Sequence, residues 1–95
     1  MPAYLIANID VTDPELYEQY RKGVVATIDQ HGGRFVARGG TTVALEGTFS
    51  PKRIVIIEFP SLAAAKAWHA SPEYAPLLAL RQRASKGDVF AVEGV

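Results

Sequence analysis

The sequence predicts an α+β fold, one antiparallel four-stranded sheet with its helices on a single face. Three observations carry that reading. The chain has 95 residues, enough for one domain over 1–95 and one core. Its apolar periodicity runs strand, helix, strand, strand, helix, strand. The first and third strands of that series are the most apolar, as the central strands of such a sheet should be.

Ala3 to Val11 alternates, with Leu5, Ala7 and Ile9 on one face and Tyr4, Ile6, Asn8 and Asp10 on the other. Thr12-Asp13-Pro14-Glu15 has the form of a capping box with Thr12 as N-cap. The helix that follows runs to about Gln30 on a stripe of Tyr17, Tyr20, Val24 and Ile28. Gly32-Gly33 ends it, since glycine accepts the left-handed conformation found past helix C-termini. Arg34 to Arg38 is a short strand, and Thr42 to Glu46 resumes a strand pattern after Gly39-Gly40. Gly47 to Pro51 is a turn, and Arg53 to Phe59 (RIVIIEF) is the strongest strand. Ser61 caps an alanine-rich helix to about Ala70. Ser71-Pro72 restarts a helical piece that continues to about Ala84, with irregularity expected at Pro76. Asp88 to Val92 closes the chain as a strand. This βαββαβ order is the split βαβ, or ferredoxin-like, arrangement.

Composition excludes several classes of function. Ten basic residues balance ten acidic ones, which argues against a nucleic-acid partner. No apolar window is long enough to span a membrane, and MPAYLIANID lacks the basic start of a signal peptide. Without cysteine there are no disulfides, thiolate nucleophiles or cysteine metal sites, which fits the cytoplasm. His31 and His69 are too few for a metal site. The glycine pairs match neither a P-loop nor a dinucleotide fingerprint. No cofactor is expected.

One face of the sheet needs a cover. In RIVIIEF, Val55, Ile57 and Phe59 share one face while Ile54 and Ile56 make the other apolar as well. Both helices of this arrangement lie on one face. The open face would leave several hundred Å² of apolar surface in water, more than a monomer usually tolerates. A second copy, packed sheet against sheet, is the expected partner.

The residues that could carry chemistry are few. Arg34 and Arg38 share a strand face with Val36 if the two-residue period holds. Arg38 stands beside a glycine pair, where its planar fork could meet an anionic ligand or pair with Glu46. Asn8 interrupts a central strand and, if buried, needs a polar partner or a polar cavity. Glu58 is either a partly buried base or, more commonly, one half of a salt bridge. His69, after Trp68, could line a pocket. Tyr17, Tyr20, Trp68 and Tyr74 are core residues whose polar tips need partners, so some can edge a cavity.

The series HGGRFVARGG, LEG, VIIEFPS, AWHASPEY and Arg81 resembles the bacterial domain of unknown function 1330 family, from Tyr4 to Gly94. The chain differs at Val25, where members often have proline, and at His69, where many have tyrosine. The resemblance implies a subunit of a dimeric α/β barrel. It also implies that Asn8, Tyr20, Arg38, Gly39, Gly40, Glu46, Trp68, Tyr74 and Arg81 occupy recurrent family positions. By fold, relatives include cofactor-free monooxygenases, muconolactone isomerase-like proteins, haem-dependent enzymes and ligand-sensing domains. The expected ligand is a small organic acid or aromatic compound, bound through Asn8, Tyr20, Arg38, Glu46, His69, Tyr74 or Arg81. Any chemistry would be proton transfer or cofactor-independent oxidation, and the alternative is a non-catalytic ligand sensor or interaction module.

Overall fold

The computed structural model describes residues 1–95. The elements are β1 (Ala3–Val11), α1 (Pro14–Gln30), β2 (Arg34–Arg38), β3 (Arg53–Phe59), α2 (Leu62–His69), α3 (Ala75–Ala84) and β4 (Ser85–Glu93). They form a four-stranded antiparallel sheet in the order β2-β3-β1-β4. The two most apolar strands are therefore central, as the sequence predicts. The molecule is a slab of about 36 × 35 × 16 Å.

The core lies between the sheet and the helices. Leu5, Ala7 and Ile9 of β1 and Val55, Ile57 and Phe59 of β3 meet Tyr17, Tyr20, Val24 and Ile28 of α1. Trp68 of α2 closes over them, stacked on Tyr74 with ring centroids 4.0 Å apart. On the opposite face nothing covers Ile6, Ile54 and Ile56, and Phe90 of β4 is 57% exposed.

Local chemistry moves several boundaries away from the expected ones. The N-cap of α1 is Asp13, not Thr12: the Asp13 side chain accepts from the Leu16 N–H at 3.1 Å. Pro14 at the first helical position fixes that start, because it lacks an N–H and carries a helical φ. Ser61 does cap α2, accepting from the Ala64 N–H at 3.0 Å. Ser71 begins no helix. Its hydroxyl donates to the Trp68 carbonyl at 2.8 Å and accepts from the Tyr74 N–H at 3.2 Å, which makes a turn, and α3 starts at Ala75. Pro76 thus falls in the first turn of α3, where a missing N–H costs nothing. The last strand starts at Ser85, three residues before the expected Asp88.

Two differences around β2 matter for the site. A register shift between Phe35 and Ala37 places Ala37 opposite Ile56 and Arg38 opposite Val55. Arg34 and Arg38 therefore do not share a face; Arg38 is turned to the helix side, with Phe35. Thr42 to Glu46 is not a strand. Beyond Gly39, whose N–H bonds the Ile54 carbonyl at 2.8 Å, residues 40–51 form an arm with no backbone hydrogen bond to the rest of the chain. Its extended pattern has no neighbouring strand to pair with, and Val43, Leu45 and Phe49 are exposed on it.

Candidate functional site

The helix face of the sheet holds a cavity of about 40 Å³, room for about three waters. Of its seventeen lining residues thirteen are hydrophobic, and the other four are all arginines: Arg21, Arg38, Arg53 and Arg81. No carboxylate lines it.

Each arginine reaches the cavity for a local reason. Arg21 follows Tyr20 on α1 and forms an ion pair at 3.2 Å with Glu18, one turn back. Arg38 is turned inward by the β2 bulge and lies over the Phe35 ring, 4.3 Å from its centroid. Arg53 opens β3 opposite Ile9, on the face of Val55 and Ile57. Its guanidinium lies 5.7 Å from the Tyr17 ring centroid. Gly39, at φ +70, leaves room for that guanidinium, which a Cβ there would overlap. Arg81 on α3 is buried and donates through Nε to the Tyr74 hydroxyl at 3.3 Å.

A chain of buried hydroxyls runs beside the arginines. The Tyr20 and Tyr74 hydroxyls are 2.9 Å apart, so Tyr74 links Tyr20 to Arg81. Burial pushes the Tyr20 phenol far above its ordinary pKa; the neighbouring Tyr74 adds to the shift and Arg81 opposes it. Tyr20 is therefore a neutral hydrogen-bonding group across the physiological range. Trp68 has a separate anchor: its Nε1 donates to the Thr27 hydroxyl at 3.0 Å, which donates in turn to the Val24 carbonyl at 2.7 Å.

Of the residues singled out by sequence, the structure brings Tyr20, Arg38, Tyr74 and Arg81 to the cavity. It places Asn8, Glu46 and His69 elsewhere. The Asn8 side chain lies on the open sheet face, opposite Ile54, and accepts from the Lys52 N–H at 2.8 Å, holding the end of the arm. Glu46 is exposed on that arm and pairs with no cation. His69 lines two open surface grooves beside β4. Glu58 takes the commoner of its two readings, an ion pair at 3.0 Å with Arg34 on the neighbouring strand. Arg21 and Arg53 are the residues that sequence reasoning missed. The signal for Arg53 was present, since two-residue steps from Val55 and Ile57 return to it.

The sequence profile of one family, described as a domain of unknown function (DUF1330), matches residues 2–95. The chain belongs to the DUF1330 family. No curated protein matches this DUF1330 chain. Among solved structures it is similar to RPA0582 of Rhodopseudomonas palustris, a protein of unknown function. That pair has 19% identity and a TM-score of 0.79, over 99% of this chain and 82% of the other. It is also similar to SnoaB of Streptomyces nogalater, a cofactor-independent oxygenase, at 16% identity and a TM-score of 0.68, over 99% and 93%. Rv0793 of Mycobacterium tuberculosis matches at 16% identity and a TM-score of 0.58, over 100% and 96%. At these identities the likeness shows the fold, a ferredoxin-like α+β unit, and carries no reaction across. No helix is long and apolar enough to cross a membrane.

Proposed function

We propose that this DUF1330 protein is a cytoplasmic homodimer of single-domain subunits. Each subunit binds a small organic acid or aromatic compound at the cavity between α1 and the sheet, which at about 40 Å³ must widen to admit one. The observation that carries the ligand reading is the lining itself: apolar and aromatic walls whose only charged groups are guanidinia, the composition of a site that orients a small molecule by a few polar contacts. The chemistry open to it is proton transfer or cofactor-independent oxidation, with the Tyr20–Tyr74 pair and Arg81 as hydrogen-bond donors to a bound anion. The cofactor-independent oxygenase SnoaB, on the same fold, is compatible with that reading.

The homodimer rests on exposed area. The chain presents 5970 Å² to solvent, roughly 600 Å² more than surface–mass scaling gives a compact monomer of 10.3 kDa. The excess fits an uncovered sheet face bearing Phe90 and Val92 and an arm bearing Val43, Leu45 and Phe49. Covering several hundred Å² contributes several kcal/mol, at roughly 25 cal/mol per Å², before association costs.

One observation favours a second reading, a ligand sensor without turnover. The hydroxyls of Tyr20 and Tyr74 already bond each other, which leaves one proton of the pair free to donate, and no group in the lining is an evident base. A thermal-shift screen of small organic acids and aromatic compounds tests both. Ligands raise the melting temperature by mass action, and the Arg38→Ala variant loses the response while remaining dimeric. An unchanged response in that variant ends the assignment. For any compound that binds, oxygen uptake or exchange of a carbon-bound proton supports the enzyme, and binding without either supports the sensor.

A further inference from the structure

We propose that the groove along β4, on the helix side of the sheet, is a second binding site, for a phosphate monoester with a small apolar or aromatic body. The inference goes beyond the reading above. Of the residues that line this groove, only Leu5, Arg81 and Val89 also face the cavity.

The groove exists because the helix layer stops short of the edge strand. Gly87, Val89 and Ala91 pair with Ile9, Ala7 and Leu5, so they form the helix-side face of β4. Their partners on β1 are buried, whereas Gly87 and Ala91 are exposed and Val89 is half-buried. Ala65 and His69 of α2 and Arg81 of α3 make the facing wall. Two adjoining hollows of about 320 Å³ each result, and they share His69 and Val89. Either one is in the size range of small-molecule sites. The first hollow is polar, with His69, Arg81, Gln82, Ser85 and Lys86 around Gly87. The second is apolar apart from Lys66 and His69, with Leu5, Ala65, Val89 and Ala91 in its lining.

The chemistry of the polar hollow points to an anion. No carboxylate lines either hollow, and Lys66, His69, Arg81 and Lys86 form no ion pair. Arg81 is the deciding side chain, because it is only 9% exposed. Its Nε is committed to the Tyr74 hydroxyl at 3.3 Å. Its two terminal nitrogens have no partner in the chain, yet they are not enclosed: the buried unpartnered nitrogens are Nε of Arg21 and Nε of Arg53. A guanidinium fixed at its root, with its fork open onto a polar hollow, is set to hold an oxyanion through two parallel bonds. Lys86 on β4 and His69 in the last turn of α2 bring further cationic groups from two other elements. The Ser85 hydroxyl takes no part, since it donates to the Arg81 carbonyl at 2.7 Å. A phosphate monoester matches this set better than a carboxylate does. It carries about −1.5 to −2 charges and three acceptor oxygens, so donors arriving from three elements find separate partners. A carboxylate would fill the Arg81 fork and leave Lys86 and His69 unmatched. The adjoining apolar hollow takes the body of the ester. In the homodimer proposed above the partner covers the opposite face of the sheet, so the groove stays open.

Backbone amide shifts of isotope-labelled, full-length protein locate the ligand. The probes are phenyl phosphate, inorganic phosphate, benzoate and phenol, at constant ionic strength and above the second phosphate pKa of about 6. Saturable shifts at His69, Lys86 and Gly87 are expected, with phenyl phosphate binding about tenfold tighter than any of the other three. Lys86→Met, at an exposed position, should weaken both phosphates several-fold. Ala91→Leu, also exposed, fills the apolar hollow and should bring phenyl phosphate down to the level of inorganic phosphate without changing the latter. Benzoate or phenol binding as tightly as phenyl phosphate overturns the proposal. So do an unchanged affinity in Lys86→Met, shifts centred on Val55 and Ile57 of the cavity instead, or no saturable shift with any of the four probes. Neither substituted residue lines the cavity, so failure here leaves the cavity reading to its own test.

Discussion

Tyr20 shows how burial and hydrogen bonding set the behaviour of one group. Its phenol is held neutral in the core, chiefly by desolvation and then by Tyr74. In the unfolded chain the same phenol ionises near its ordinary value of about 10. A folded-state pKa raised above the unfolded one gives stability that is fully present below about pH 10 and is lost as pH rises beyond it. Urea denaturation at pH 9 and pH 11 should therefore show a marked alkaline loss. The Tyr20→Phe variant should lose part of that slope, at the cost of its hydrogen bond to Tyr74, about 1 kcal/mol at neutral pH. An identical pH slope in the variant would assign the alkaline loss to another group. Gly39 illustrates a different residue-scale constraint. Its left-handed φ strains any other residue, and a Cβ there would push the Arg53 guanidinium aside. Gly39 thus makes a seat for an arginine and not a cradle for a phosphate, while Gly32-Gly33 closes α1 against Pro60 and Phe59. That role could not be read from residue order, since Arg53 lies on another strand.

Among the elements, β1, β3 and α1 were legible because burial imposes its period on sequence. Leu5, Ala7 and Ile9, and Val55, Ile57 and Phe59, sit in the core as alternation requires. What could not be read is what breaks a period. The bulge in β2 has no composition of its own, so counting by twos put Arg38 on the wrong face; its true side shows only in the pairing with β3. The start of α3 was hidden likewise, because Ser71-Pro72 is a plausible helix entry and only its hydrogen bonds make it a turn. The start of α1 gives a direct contrast between two caps one residue apart. Asp13→Ala should destabilise by about 1 kcal/mol, and Thr12→Ala by a few tenths at most, measured by denaturant titration. The reverse order would restore the capping box centred on Thr12. The candidate site was half legible for the same reason. Tyr20 lies on the regular stripe of α1 and Tyr74 among the aromatic residues expected in the core, and Arg81 came through the family resemblance, whereas Asn8 and Glu46 depend on where the arm goes.

For the whole molecule, the distribution of exposed apolar groups is the main unresolved demand on the sequence. The helices satisfy one side of the slab and leave Ile6, Ile54, Ile56 and Phe90 on the other. Sedimentation at micromolar concentration should find a dimer, and Phe90→Glu should weaken it by at least tenfold in Kd without loss of the monomer's circular dichroism. A wild-type protein that sediments as a monomer would refute the homodimer. The arm carries a related demand, since its peptide groups at 40–51 bond nothing within the chain. Finally, the gathering of guanidinia on the helix side has an effect beyond equilibrium binding. A molecule with no net charge but an uneven layout of it behaves as a dipole in solution. If the cavity is the ligand site proposed above, that field would draw passing anions toward it and quicken their arrival in dilute buffer, an advantage that fades as the Debye length shrinks toward about 8 Å in physiological saline. Chloride, always abundant, is then a standing competitor for the same doorway.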